Sequence, residues 1–196
     1  MILPIVAYGA AVLKQKALPI NQEYENLNQL IANMWETMYA AHGVGLAAPQ
    51  VGLGIRMFVI DTAPFAEDDS LTAEERKELK EFKEVFINAT MVEEKGEAWD
   101  FNEGCLSIPD VREDVLRHAS IKIHYWDENF LEHTRSFDGL IARVIQHEYD
   151  HIEGILFTDK LSPLKKRLIK RKLTAIAQGK IQAEYPMRFP QIKRKR

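Results

Sequence analysis

The pentapeptide HEYDH at residues 147–151 places two histidines four positions apart, with a glutamate directly after the first. On an α-helix, residues four apart lie one turn above each other, so that His147 and His151 can bind one metal ion together. Glu148 lies about 100° round the helix from His147 and can contact a water molecule beside the ion without binding the ion itself. Asp150 is a candidate to orient a ligand histidine from behind. The spacing therefore predicts a metal site for hydrolysis, and the alternative is a pair of histidines with ordinary hydrogen bonds.

The third ligand would decide the class of hydrolase. Metalloproteases of the metzincin type carry a third histidine six residues after the second, but Phe157 occupies that position here and cannot bind metal. A downstream glutamate, as in thermolysin-like proteases, has one candidate after Asp159, namely Glu184. Cys105, the single cysteine, is the upstream candidate, because a thiolate with two histidines leaves one coordination position open for catalysis. The alternative for Cys105 is a small buried hydrophobic residue.

A glycine-rich stretch, GVGLAAPQ at Gly43–Gln50, supplies a further polar candidate. Two glycines one residue apart allow unusual backbone angles and the close approach of another segment. A helix end followed by a turn would account for these glycines but not for Gln50. The side-chain amide of Gln50 can donate a hydrogen bond to a developing oxyanion, so that this stretch is a candidate part of the reaction site.

These candidates must be positioned by a fold that contains both helices and antiparallel strands. The apolar residues of segment 23–42 recur with a period of 3.6, which predicts a helix, and alternation over 121–125 predicts a half-buried strand. The other predicted elements are strands at 54–61, 85–92 and 132–137, the metal-binding helix from Gly139 and a basic helix at 163–179. The predicted fold class is therefore α+β, with mostly antiparallel β-sheets around a central metal-binding helix, an N-terminal helix and a basic C-terminal helix.

An acidic stretch at about 62–83 separates two predicted strands and is interpreted as a surface insertion. Thr72 followed by Glu75 predicts a capping box for a short helix within it. The chain has 196 residues, of which 46% are hydrophobic and 28% are charged, an ordinary globular balance. We therefore expect a single catalytic domain over residues 1–196.

Charge is distributed unevenly along the chain. Residues 160–196 carry 13 Lys and Arg against one acid, a net charge of +12, whereas residues 1–159 carry 13 bases and 28 acids, a net charge of −15. The basic helix and tail at about 163–196 indicate a polyanionic partner such as nucleic acid or the ribosome, and a solvated helix face with a frayed end is the alternative. Without an apolar run of about 18 residues or a typical signal peptide, the chain is expected to be cytoplasmic and to have no membrane partner.

Three stretches together resemble the three signature motifs of the peptide deformylase family, in the same order and with matching spacing. They are GVGLAAPQ (43–50), EGCLS (103–107) and QHEYDHIEG (146–154). The C-terminal helix resembles that of the bacterial type. Two departures, Ile152 in place of the usual leucine and an acidic insertion longer than in compact members, change no chemical group of the motifs.

The resemblance implies one divalent metal ion bound by Cys105, His147 and His151. Ferrous iron is the expected ion, with zinc, nickel or cobalt as alternatives. The resemblance also implies that Glu148 takes a proton from water as general base and later delivers it to the departing amine as general acid. The substrate would be the N-formylmethionyl end of a nascent peptide, and the products would be formate and a free N-terminal methionine.

The same resemblance assigns roles in binding the transition state and the peptide. The oxyanion would accept hydrogen bonds from the Gln50 amide and from the backbone N–H of Leu106. The peptide would lie along the backbone near Gly45 and Gly104, with Arg112 in contact with it. The pocket for the methionine side chain is expected to be lined by Val44, Leu140 and Val144.

The resemblance further implies docking near the ribosomal exit tunnel through the basic C-terminal segment, without sequence-specific recognition of nucleic acid. Two alternatives remain open from the residues themselves. A metallopeptidase would use the same helix, but Phe157 and Cys105 argue against it. A non-catalytic module associated with ribosomes or RNA would hold a structural metal, which usually has four protein ligands, whereas three are found here.

Overall fold

The computed structural model describes residues 1–190, so that the end of the predicted basic tail, residues 191–196, lies outside the described residues. The helices are α1 (Leu27–Ala40), α2 (Ala73–Glu81), α3 (Gly139–Ile152) and α4 (Pro163–Ala177). The strands are β1 (Ile5–Val6), β2 (Gly45–Ala47), β3 (Met57–Asp61), β4 (Lys83–Cys105), β5 (Ile108–Trp126), β6 (Glu132–Asp138) and β7 (Met187–Arg188). Among these described helices, none has the length and apolar character that crossing a membrane requires.

The main sheet has five antiparallel strands in the order β2-β3-β4-β5-β6. Strands β4 and β5 form a long hairpin, in which the pairing of Cys105 with Ile108 leaves Leu106 and Ser107 as the connecting turn. Register shifts at several points, one of them between Gly104 and Cys105, change the twist of the hairpin close to this turn. The sheet and the four helices confirm the predicted α+β class.

Helix α3 packs against the sheet through an apolar core. Ile141 and Ile145 of the helix are buried together with aromatic residues of β3, β4 and β5. In that aromatic group the ring of Phe86 lies 4.7 Å from that of Phe58 and 4.3 Å from that of Tyr125. Because full burial of each such side chain contributes about 1.5–3 kcal/mol, this contact fixes the position of α3 and of the polar residues that it carries.

Several predicted elements have different bounds in the structure, and the strand predicted at 121–125 is the last part of β5. Helix α1 begins at Leu27 rather than at residue 23, because Asn26 has a left-handed backbone (φ 56°) that does not continue a helix. The strand predicted at 85–92 continues to Cys105, since its polar second half gains its order from pairing with β5 rather than from burial. The strand predicted from residue 54 begins at Met57.

The acidic insertion contains a 3₁₀ turn at Ala63–Glu67 followed by α2. The predicted capping box is confirmed, because the Thr72 hydroxyl accepts a hydrogen bond from the Glu75 N–H at 3.2 Å and the Glu75 carboxylate accepts one from the Thr72 N–H at 2.8 Å. The hydroxyl of Thr62 donates to the carbonyl of Leu79 at 2.7 Å and so ties the start of the insertion to its end.

After α4 the described chain turns back over the protein instead of forming a frayed end. Gly179 adopts a φ of +66° and Lys180 N–H donates to the carbonyl of Ala175 at 2.9 Å, which ends the helix in a tight reversal. Residues 180–190, termed the return segment, then place β7 parallel to β1 in a two-stranded sheet. The alternative of a frayed, solvated end therefore does not hold for residues 180–190.

Candidate metal centre

Three potential metal ligands converge where β4 ends beside α3. The ligand atoms of Cys105, His147 and His151 all lie within 4.8 Å of one another. The Cys105 Sγ is 3.3 Å from the Nε2 of His151. The fold thus brings one strand residue next to two residues of a helix that is distant in sequence. One side of the cluster faces the adjoining cavity, where a water or a substrate could bind.

Glu103 holds the ring of His147 in the orientation that metal binding needs. Its carboxylate lies 2.9 Å from the Nδ1 of His147, so that the Nε2 of this ring remains for an ion. The same carboxylate accepts hydrogen bonds from Arg117 at 2.7 and 3.0 Å and from Arg143 at 3.2 Å. Burial alone would raise the pKa of Glu103, but the hydrogen bonds from His147 and Arg117 outweigh it and keep the pKa far below its usual range. Glu103 is therefore a carboxylate that fixes a ligand from behind.

Asp150, which the sequence suggested for this role, binds elsewhere. It accepts a hydrogen bond from Arg117 at 2.6 Å and lies 3.3 Å from the ammonium of Lys160. The carboxylate behind His147 is thus supplied by the hairpin and not by α3, and Asp150 acts one step further away, through Arg117. Asp150 is next to His151 in the sequence, but its side chain points towards Arg117 of β5 and not towards the ligand histidines.

The charge environment of the cluster suits a bound cation. Burial lowers the pKa of His151 well below its usual value, with further lowering by His147, so that its ring is neutral. Burial alone would also lower the pKa of His147, but hydrogen bonds with Cys105 and Glu103 raise it to about 10. The surroundings of His147 therefore favour a positive charge between the Cys105 sulfur and the Glu103 carboxylate, and a divalent metal ion would provide that charge.

Glu148 lies beside the ligand cluster and faces the cavity. Its side chain is buried, and its Oε2 has no hydrogen-bond partner within the described residues. Burial raises the pKa of Glu148 to about 7, against the lowering effect of His147. A carboxyl group with a pKa near neutrality and a free oxygen can both accept and return a proton.

Gly45 leaves the space that Glu148 occupies. A methyl group at this position would lie 2.5 Å from the Oε1 of Glu148 and 2.8 Å from its Cγ and Cδ. The first glycine of the same stretch, Gly43, leaves room for the side chain of Leu106, which would lie 2.8 Å from such a methyl. The sequence suggested that these glycines allow unusual backbone angles. In the structure they are needed because residues of the other two motifs, Glu148 and Leu106, pack directly against them.

Gln50 and Leu106 lie on the same side of the cluster. The side-chain oxygen of Gln50 accepts a hydrogen bond from Ala47 N–H at 2.8 Å, which directs its amide nitrogen towards the site. That nitrogen lies 3.5 Å from the Sγ of Cys105 and 3.5 Å from the Oγ of Ser107. Leu106 follows the ligand cysteine in the hairpin turn and lines the same cavity as Gln50.

A cavity of about 810 Å³ opens over the cluster. Five of the six residues expected to contact a peptide line it, namely Val44, Gly45, Gly104, Arg112 and Val144. Leu140, also predicted for the pocket, does not line this cavity and packs half-buried against the core instead. The helix turns Leu140 towards the hydrophobic core one turn before the cavity begins.

The aromatic lining residues Phe65 and Phe101 were missed by reasoning from the sequence. Phe65 comes from the insertion and contacts Phe101 of β4 edge to face, with ring centroids 6.2 Å apart. Arg143 is almost fully buried, and its guanidinium lies 4.3 Å from the ring centroid of Trp99 and donates to the Trp99 carbonyl at 2.6 Å. No local pattern could have assigned Phe65, because the insertion reaches the cavity only through the folded hairpin.

Arg112 is held by its own hairpin. Its guanidinium donates to the side-chain oxygen of Asn102 at 2.9 Å and to the carbonyl of Asn102 at 2.6 Å. A methyl group at Gly104 would lie 2.9 Å from the Nη1 of Arg112, so that this glycine lets the arginine lie flat along β4. The arrangement presents a cation at the cavity rim, where a peptide carbonyl or carboxylate could contact it.

Comparison with known proteins gives concordant results over nearly the whole chain. The family model described as polypeptide deformylase matches residues 2–167. The curated peptide deformylases of Christiangramia forsetii and Flavobacterium johnsoniae are 64% and 63% identical, and each match covers 100% of both chains. The crystal structure of a peptide deformylase from Legionella pneumophila is similar with a TM-score of 0.77 and 34% identity, covering 92% of this chain and 98% of that one.

Proposed function

The chain belongs to the polypeptide deformylase family, and we propose that Cys105, His147 and His151 hold the metal ion with which it removes the N-formyl group from new polypeptides. The observation that carries this proposal is the meeting of a strand thiolate with two helix imidazoles within 4.8 Å. A metallopeptidase of the metzincin type would need a histidine where Phe157 stands, and that ring packs almost parallel to His147, with centroids 6.2 Å apart.

The residues of the cluster fit a divalent transition metal, and ferrous iron is our proposed ion, with zinc, nickel or cobalt as alternatives. When bound there, the ion lowers the pKa of a water molecule and polarises the formyl carbonyl. Glu103 keeps the ligand tautomer of His147 fixed, and the burial of His151 keeps that ring neutral. Both effects favour metal binding, because only a deprotonated ring nitrogen can act as ligand.

We propose that Glu148 moves the proton of the reaction. The carboxylate accepts a proton from the attacking water and returns it to the amine nitrogen as the C–N bond breaks. Its pKa of about 7 suits proton transfer in both directions at neutral pH, and its side chain lines the cavity and has no hydrogen-bond partner for Oε2 within the described residues. The products are formate and a peptide with a free amino terminus.

We propose that Gln50 and Leu106 stabilise the charge that develops on the formyl oxygen. The amide nitrogen of Gln50 is fixed by the hydrogen bond between its own side-chain oxygen and Ala47, so that little reorganisation is needed during the reaction. The backbone N–H of Leu106, next to the ligand Cys105 in the hairpin turn, would add a second donor.

The substrate is proposed to enter as an extended N-formylmethionyl peptide. Its backbone would lie beside Gly45 and Gly104, where the absence of side chains permits close approach, and Arg112 would contact it at the rim. The methionine side chain would enter the apolar part of the cavity, lined by Val44, Phe65, Phe101 and Val144.

A formate-release assay on an N-formyl-Met peptide tests the reaction, using metal-loaded protein prepared without oxygen. The Glu148→Ala variant should lose about 10²–10⁴-fold in kcat while it keeps its metal, because proton transfer is removed and the ligands are not. Full turnover by this variant would refute the role of Glu148. Release of amino acids from an unformylated peptide, without formate, would instead support the peptidase.

We also propose that the protein acts in the cytoplasm and docks on the ribosome through α4. The apolar side of this helix is buried through Ile169, Leu173 and Ile176, whereas its basic side chains are mostly exposed. Charge reversal at Lys170 and Arg171, both exposed, should weaken co-sedimentation with ribosomes and leave formate release from a free peptide unchanged. Undiminished co-sedimentation of that variant would refute the docking proposal.

A further inference from the structure

The return segment packs on the protein along its whole described length. Met187 and Phe189 pack against one apolar cluster, and Tyr185 packs against another. The N–H of Ile5 donates to the carbonyl of Pro186 at 2.9 Å, so that the two terminal segments hold each other in place. Residues 182–185 of the return segment form part of the wall of the cavity over the metal cluster.

Tyr185 binds directly to the turn that follows the ligand cysteine. Its hydroxyl donates to the carbonyl of Leu106 at 2.8 Å. The carbonyl of the next residue, Ser107, accepts a hydrogen bond from the backbone N–H of Tyr8 at 2.8 Å. Both carbonyls of this two-residue turn are thus held by partners from opposite ends of the chain.

We propose that Tyr185 is a positioning residue for deformylation, which fixes the Leu106 peptide so that its N–H points at the formyl oxygen. The inference rests on the proposed function, in which Leu106 donates to the oxyanion. The phenol does not touch the reacting atoms and acts through the turn. It gives the return segment a role in the reaction, because the same segment that closes one side of the cavity also holds a donor of the site.

The position of this contact distinguishes orientation from simple packing. The N–H and the carbonyl of Leu106 belong to two adjacent planar peptide units joined at its Cα, so that fixing the carbonyl plane leaves only the φ and ψ angles of Leu106 through which the N–H can swing. The apolar contacts of Tyr185 with the core are made by its ring and do not need the hydroxyl. Removal of the hydroxyl should therefore affect the reaction more than the packing of the segment.

The test compares Tyr185→Phe with wild type on an N-formyl-Met peptide and on its N-thioformyl analogue. Rates are measured as release of the free amine and are expressed per bound metal ion. Because a single hydrogen bond is lost, kcat on the formyl peptide should fall about fivefold with KM unchanged. Sulfur accepts hydrogen bonds weakly, so that kcat on the thioformyl peptide should fall less. Tyr24→Phe, which removes a hydroxyl from a half-buried tyrosine outside the cavity, is the matched control and should leave both rates unchanged.

Amide hydrogen exchange gives a second measurement that needs no turnover. The N–H groups of Leu106 and Ser107 should exchange about fivefold faster in Tyr185→Phe, whereas those of the core strands should not change. Equal losses of kcat on both peptides, or wild-type kcat and exchange, would overturn the role of Tyr185 and leave the deformylase assignment intact. A wild-type protein that releases no formate would overturn both.

Discussion

Replacing Gly45 by alanine should displace the catalytic carboxylate while leaving the metal ligands in place. The added methyl would lie 2.5 Å from the Oε1 of Glu148 and 2.8 Å from its Cγ and Cδ, where ordinary contact needs about 3.4 Å. Strand β2 is paired with β3 at this residue, through Ile60, so that the backbone has little freedom to withdraw. Glu148 must therefore move by somewhat under about 1 Å, a misplacement that can cost about 100-fold in rate. Overpacking of the buried site should also cost about 1–3 kcal/mol of unfolding free energy.

The assay measures kcat from formate release, metal content and the urea midpoint of the same preparation. We expect the Gly45→Ala variant to keep its metal and to lose about 100-fold in kcat. Gly54→Ala is the matched control, because a methyl at that exposed position meets no atom within 4 Å. That control should keep wild-type kcat and gain about 0.4–1 kcal/mol through the reduced entropy of the unfolded chain. Wild-type turnover in Gly45→Ala would refute the argument that this glycine makes room for Glu148.

Three further predictions concern the groups around the metal and the cavity wall. Glu103→Gln should lower metal affinity about 10–100-fold in competition with a chelator. Each oxygen of the Glu103 carboxylate accepts from two donor groups, so that the amide NH₂ of glutamine would face two donors whichever way it is turned. Asp150→Asn is the control, and equal losses of affinity in the two variants would contradict a specific effect on His147. Cys105→Ser should reduce the metal content of purified protein, and unchanged metal loading would remove this residue from the ligand set. Phe65→Ala should raise KM for a formyl-Met peptide about fivefold at unchanged kcat, since one apolar wall of the cavity is lost, and an unchanged KM would place the methionine side chain elsewhere.

Much of the metal cluster could be predicted because its signals are local. The spacing of His147 and His151 requires one helix face, and that helix is predicted by its own periodicity. Cys105 is different, since no rule of spacing joins it to the helix, and only the resemblance of three motifs placed it in the same cluster. In the structure the joining element is the long β4–β5 hairpin, whose polar residues gave a strand signal over only part of its length.

The return segment could not be predicted from local pattern. Its strand β7 has two residues and pairs with another two-residue strand, β1, at the far end of the chain. So short a pair has no periodicity of its own, and its order depends on apolar contacts made by alternate residues such as Met187 and Phe189. The composition rich in Lys and Arg indicated a polyanionic partner, with a solvated tail as the alternative, but charge predicts only which residues are exposed and not which alternate residues are buried.

The misassignment of Asp150 has the same origin and shows what the helix pattern leaves out. A helix with one apolar stripe usually presents the polar residues of its other faces to water. Helix α3 is instead buried around most of its surface, so that Arg143, Glu148 and Asp150 are all inside the protein. Each buried charge must then find a partner on another element, because an unpaired one is costly. Arg143 finds Glu103, and Asp150 finds Arg117, both on the hairpin. Which carboxylate contacts the ligand histidine therefore depends on which strand residues face α3, and the register of β4 with β5 determines those residues.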